Sequence, residues 1–186
     1  MDPFFIGGAV IGGVLLLWLI GTFNSLVRKR NLVRNGWADI DVQLKKRYDL
    51  IPNLVEMVKG YMQHEKSVLE DITKARTSAM QAQGAKAKEG AENALSGTLK
   101  TLFAVSENYP ELKANANFLD LQRELADTEN KIQASRRFYN GNVRDYNISI
   151  ESFPSNLIAG IFHFTKKDLF DLAEGDVAQQ PVKVAF

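Results

Sequence analysis

Phe4 to Phe23 reads FFIGGAVIGGVLLLWLIGTF, twenty residues without a charged side chain. As a helix at about 1.5 Å per residue it is roughly 30 Å long, the thickness of a bilayer's hydrocarbon core. In hydrocarbon each backbone N–H and C=O must be satisfied within the segment, so a single span can only be helical. A cleaved signal peptide has a basic start, a shorter apolar core and a small-residue cleavage site. Here the run follows Met1-Asp2-Pro3, has full length and leads into no such site. An uncleaved anchor over residues 1–27 is therefore expected, with the span at about 4–23. Everything after it must fold while tethered to a membrane.

Charge sets the expected orientation. Arg28, Lys29, Arg30 and Arg34 follow the span directly, whereas Asp2 is the only charged side chain before it. The positive-inside rule puts the amino terminus outside and the bulk of the chain in the cytoplasm. The same four cations attract anionic headgroups, which makes membrane lipid an expected partner. Gly8 and Gly12 form a G-x-x-x-G pair. It reads equally well as a helix-packing face or as ordinary small residues of a span.

Composition narrows the function classes. A net charge of +1 speaks against a nucleic-acid footprint, which needs a strong basic excess. With no cysteine there is no disulfide, thiolate metal site or cysteine nucleophile. Five prolines in 186 residues, with abundant Ala, Leu, Gln, Glu and Lys, favour helix.

Beyond the membrane, four helical stretches follow from spacing. The first carries Val33, Trp37, Ile40, Leu44 and Tyr48 on one stripe. The second is expected to start near Pro52 and to carry Leu54, Val55, Val58, Tyr61, Met62, Val68, Leu69, Ile72 and Ala75. Both follow the three-or-four step of an amphipathic helix. The stripe keeps phase across Pro52, through residues 37, 40, 44, 48, 51, 55, 58 and 62. A proline is harmless in a helix's first turn, where N–H groups lack intrahelical partners, and Asp49 can supply such a start. The shared register favours instead one continuous helix bent at Pro52. On that reading Asp49 and Pro52 mark a joint between a membrane-rooted stalk and the remaining helices.

Residues 79–92, AMQAQGAKAKEGAE, are small and polar, and Gly84 and Gly90 are read as breakers in a turn. The third helix places Ala91, Leu95, Thr98, Leu102, Val105 and Tyr109 on one face and runs to about Glu107, before Pro110 interrupts. Asn115 or Asn117 can cap the fourth helix, because an Asn side chain accepts from an unpaired helical N–H. That helix holds Phe118, Leu121, Leu125, Thr128, Ile132, Ser135, Tyr139, Asn142, Tyr146, Ser149 and Phe153 in strict 4/3 alternation, a coiled-coil-like seam. Phe153-Pro154 ends it. An aromatic tail follows over 154–186, including Leu157, Ile158, Ile161, Phe162, Phe164, Leu169 and Phe170, and it turns polar after Asp171. It can close the bundle end, lie on the membrane or meet another subunit.

No catalytic constellation emerges. His64 and His163 are far apart, and His64-Glu65 lacks the second His of a zincin. Asp39 and Asp41 point in different directions on a helix. No Gly-rich loop follows a strand, and no serine has an identifiable base. Polar residues in the last seam, flanked by arginines, suggest a buried polar layer. Arg137, Asn142 and Arg144 would face Asp41, Asp49 or Glu56 from the first two helices, with Arg47 nearby.

Several long blocks taken together resemble the LemA family. They are LVRNGWADIDVQLKKRYDLIPNLVEMVKGYMQHE (Leu32 to Glu65), YPELKANANFLDLQRELADTEN (Tyr109 to Asn130), RRFYNGNVRDYN (Arg136 to Asn147) and Phe153-Pro154, in that order after an amino-terminal span. Gly36 departs from the pattern, in which a larger residue is expected. The resemblance implies a bacterial inner-membrane protein with an antiparallel, up-and-down helical bundle, here residues 28–153. It brings no catalytic residues and no cofactor, and a relative in magnetosome-forming bacteria points toward membrane organisation. The expectation is an all-α, non-enzymatic scaffold that forms a homo-oligomer or recruits a membrane-protein partner. An accessory subunit of a membrane protease or transport complex is the alternative.

Overall fold

The computed structural model describes residues 3–62 and 64–171. Among these residues all regular structure is helical, in the order α1 (Pro3–Lys59), α2 (Lys66–Gln81), α3 (Ala85–Ser106), α4 (Pro110–Ala114), α5 (Ala116–Glu151) and α6 (Ser155–Ile161). The residues fall into two compact units. The first comprises residues 3–42 and 131–169, the second residues 43–62, 64–130 and 170–171.

α1 begins with the apolar run. Its most apolar window has a mean hydropathy of 2.3 and buries none of its surface against the rest of the chain, so it is long and apolar enough to cross a membrane. Beyond the run the expected stripe goes inside. In the first unit Leu26, Val33, Gly36 and Ile40 are buried, as are Ile132, Tyr139, Val143, Tyr146 and Ile150 from α5.

Gly36, the departure from the family pattern, has a local reason. A Cβ there would stand 3.2 Å from the Tyr139 Cα and 3.5 Å from the Phe138 ring. The missing side chain lets α1 and α5 approach backbone to backbone. The segment after α6 is strapped to the same pair. Asn147 of α5 donates from Nδ2 to the Lys167 carbonyl at 2.8 Å and accepts from the Lys167 N–H at 3.0 Å. The Tyr139 hydroxyl donates to the Asp168 carbonyl at 2.9 Å. Phe162 packs against Phe23 with its ring tilted and Phe164 meets it edge to face, the ring centroids 4.6 and 5.9 Å away.

The second unit holds Leu44, Tyr48, Ile51, Leu54 and Val58 from the end of α1, with Leu69, Ile72 and Ala79 from α2. Leu95, Leu99 and Leu102 of α3, Leu112 of α4, and Phe118 and Leu125 of α5 complete its core. α1 continues unbroken through Pro52. The expected second helix, from Pro52 to Ala75, is corrected: the helix breaks after Lys59 instead, and α2 begins at Lys66.

The next turn is shorter than expected. Only residues 82–84 leave the helices, Gly84 takes φ +81°, and Gly90 lies inside α3 rather than breaking it. A positive φ suits glycine, which lacks the Cβ that clashes there. Pro110 opens α4, where its missing N–H costs nothing. Asn115 caps α5 as expected: its Oδ1 accepts from the Asn117 N–H at 2.9 Å and the Phe118 N–H at 3.3 Å. The polar tail after Asp171 lies outside the described residues.

Candidate functional site

The second unit centres on a buried ion-pair cluster. On the stripe 40, 44, 47, 51, the third member is Arg47, only 1% exposed. Its Nη2 pairs with Glu92 of α3, which is 0% exposed, and its Nη1 reaches Glu129 of α5 at 2.6 Å and the Ser96 hydroxyl at 3.2 Å. The Tyr48 hydroxyl donates to the other Glu92 oxygen and lies 3.3 Å from the Ala79 carbonyl of α2. One guanidinium thus ties three helices, and the phenol draws in a fourth.

Stripping two charges of water costs several kcal/mol each, which good geometry and further hydrogen bonds must offset. Here each Glu92 oxygen has its own donor. Glu129, half-exposed, keeps partial hydration and supplies a second negative charge. The arrangement is a lock, closed to solvent. Arg47 and Glu92 hold their charges for each other, away from solvent.

Pro52 belongs to the same construction. A proline has no N–H, so in a helix the carbonyl four residues earlier loses its donor. That carbonyl belongs to Tyr48, and Arg76 of α2 takes it, Nε to oxygen at 2.7 Å. The proline thus opens a socket on α1 into which α2 plugs.

Asp49 pairs with Lys45 and Glu56 with Lys59, each within α1 and exposed. Arg47 takes Glu92 and Glu129. Asp41, Arg137 and Arg144 are exposed on the first unit. Asn142 there is half-buried, and its Nδ2 has no hydrogen-bond partner among the described residues. Thr128, a buried seam residue, is satisfied by its own helix through the Glu124 carbonyl at 2.7 Å. Glu92, Ser96 and Glu129 did not stand out in the sequence. The signal was a register: α3 buries 92, 95, 99, 102 and 106, one step from the expected 91, 98 and 105.

The first unit carries a concave basic site. A pocket of about 410 Å³ is lined by Arg30, Arg34, Trp37, Tyr139 and Lys167, among others. The Trp37 and Tyr139 rings meet edge to face at 5.3 Å. Burial, reinforced by the negative charge of Asp168, pushes the Tyr139 phenol above its ordinary pKa. Tyr146 is pushed up by burial as well, against the opposing charge of Arg30. The Arg30 guanidinium lies 5.2 Å from the Phe164 ring centroid, a cation–π contact. Lys29 is held by the Ser149 hydroxyl, and Arg28 is exposed. Gly8 and Gly12 face open space. Among the described residues no group of His, Cys, Asp and Glu is arranged to hold a metal ion.

The LemA family model matches residues 36–186. The protein LemA of Metamycoplasma hominis is 27% identical over 87% of this chain and 72% of its own length. The magnetosome protein MamQ 2 of Paramagnetospirillum magneticum is 24% identical, and the magnetosome protein MamQ of Magnetospirillum gryphiswaldense 22%. Each of those two matches covers 82% of this chain and 65% of the relative. The matched region holds Gly36, Arg47, Pro52, Glu92 and Asn115 alike, and the chain belongs to the LemA family.

Proposed function

We propose that this chain is a membrane-anchored, non-catalytic scaffold, whose helices after the span form an antiparallel up-and-down bundle that self-assembles or recruits partners at the cytoplasmic face. One observation carries the reading. α1 is a single helix with an exposed apolar span at one end and the buried Arg47 lock near the other. The span supplies the anchor, and the lock spends its ionisable groups on structure. Confinement to a membrane raises local concentration, so weak lateral contacts suffice for assembly. The resemblance to proteins named for the magnetosome points to work at a membrane-bounded structure.

The absence of cysteine permits a clean topology test. Ser67, exposed on α2, is replaced by Cys and challenged in intact bacterial cells with a membrane-impermeant maleimide. The expected result is no labelling until the cells are opened, with the protein retained in membranes through an alkaline wash. Labelling in intact cells, or release by the wash, refutes the proposed topology or anchor. Co-purification of one stoichiometric membrane enzyme with a monomer would favour the accessory-subunit alternative.

A further inference from the structure

The basic pocket has features that a solvated run of cations does not need. Arg30 and Arg34 come from one helix and Lys167 from the distant strap, yet all three line one concavity. Two of them are positioned. Asn147 clasps the Lys167 backbone with two hydrogen bonds, and the Phe164 ring lies beneath the Arg30 guanidinium. None of the three has a carboxylate partner among the described residues, whereas Lys166, next in sequence, is paired with Glu151. Trp37 and Tyr139 supply rigid walls that reduce the water available to compete for a bound anion.

Location narrows the ligand. Arg30 stands seven residues beyond Phe23, about 10 Å along a helix. Helical side chains tilt toward the amino terminus, here toward the membrane, so its guanidinium reaches back to the headgroup layer outside the hydrocarbon core. Arginine's planar fork matches phosphate oxygens in pairs, and a nearby lysine adds a point charge.

We propose that Arg30, Arg34 and Lys167 form a binding site for the phosphate of an anionic phospholipid headgroup, walled by Trp37 and Tyr139. A lipid phosphate held there would bridge the seated strap to α1, making lipid composition an input to the scaffold. This rests on reading residues 4–23 as a membrane span.

The test uses the full-length chain in nanodiscs of phosphatidylcholine with a minor share of phosphatidylglycerol, and counts retained lipid by native mass spectrometry. Wild type is expected to retain phosphatidylglycerol over phosphatidylcholine. Arg34→Gln with Lys167→Gln should weaken that preference on the order of thirty-fold, at about fivefold per cation near a membrane surface. Both side chains are exposed, and Lys167 is clasped through its backbone, so the fold should survive. Arg28→Gln, outside the pocket lining, should change the preference less than the pocket pair does. An equal loss from Arg28→Gln overturns the site in favour of diffuse attraction. If inorganic phosphate alone displaces the lipid, the pocket serves a soluble anion and the lipid assignment falls. Normal incorporation into pure phosphatidylcholine nanodiscs with no lipid preference overturns the pocket and leaves the anchor standing; failure to incorporate overturns the anchor.

Discussion

Pro52 offers the sharpest internal test, because the structure makes its effect depend on a residue of another helix. Replacing Pro52 with alanine restores an N–H within reach of the Tyr48 carbonyl and removes ring crowding. An interior proline costs a helix about 3 kcal/mol relative to alanine. Part of that is recovered here by the 2.7 Å bond from Arg76, so the gain should be smaller, about 1–2 kcal/mol. Arg76→Met in the wild-type background removes a charge-assisted bond to a part-buried carbonyl that has lost its helical donor. The expected cost is about 1.5 kcal/mol, the low end for such bonds because Arg76 is half-exposed. In the Pro52→Ala background the carbonyl has a helical N–H again, and the same Arg76 change should cost no more than about 0.5 kcal/mol. A double-mutant cycle measures the coupling, about 1 kcal/mol. The assay is chemical denaturation of the full-length protein in mild detergent, followed by helical circular dichroism. Equal costs for Arg76→Met in both backgrounds would refute the socket.

Other outcomes follow from the same contacts. Arg47→Met should destabilise by about 3–5 kcal/mol because it strands Glu92 in the core, whereas Arg47→Met with Glu92→Met should recover most of that loss; thermal melts of the three proteins check it. Gly36→Leu forces a side chain against the Tyr139 backbone and should destabilise by about 1–3 kcal/mol, more than leucine's helix propensity returns, as denaturant midpoints will show. The raised Tyr139 pKa means that the folded chain holds the phenol proton more tightly than the unfolded chain does. Stability from this source is intact below the ordinary value of 10.0 and is lost as pH rises through and beyond it. Tyr139→Phe should flatten that alkaline decline, measured by melting temperature against pH.

How far the sequence could be read depended on what kind of signal each feature left. The stripe through Val33, Ile40, Leu44 and Ile51 and the seam through Phe118, Leu125, Ile132, Tyr139 and Tyr146 are patterns of burial, and periodicity reports burial directly, while the apolar run was legible from its length alone. Pro110 and Asn115 were legible because their effects are local. The break between Lys59 and Lys66 was hidden because the apolar spacing barely falters there, and a single glycine is tolerated in many helices. Gly90 was overread for the same reason. The Arg47–Glu92 lock was missed because a buried charge breaks the apolar pattern that announces a core. Its partner comes from a helix 45 residues away, and no local spacing encodes such a pairing. The Arg76 plug is similar: proline shows that a carbonyl has been freed, but only the fold shows what takes it.

The favoured arm of the proposal is that this chain, held at a membrane by its apolar span, assembles with itself there. Its most direct test is the mass of the particle extracted from native membranes with surrounding lipid, compared with the 20.8 kDa chain. A defined integral multiple of the chain mass is expected once lipid is subtracted. A chain recovered one copy at a time, at the concentrations found in the cell, would contradict it.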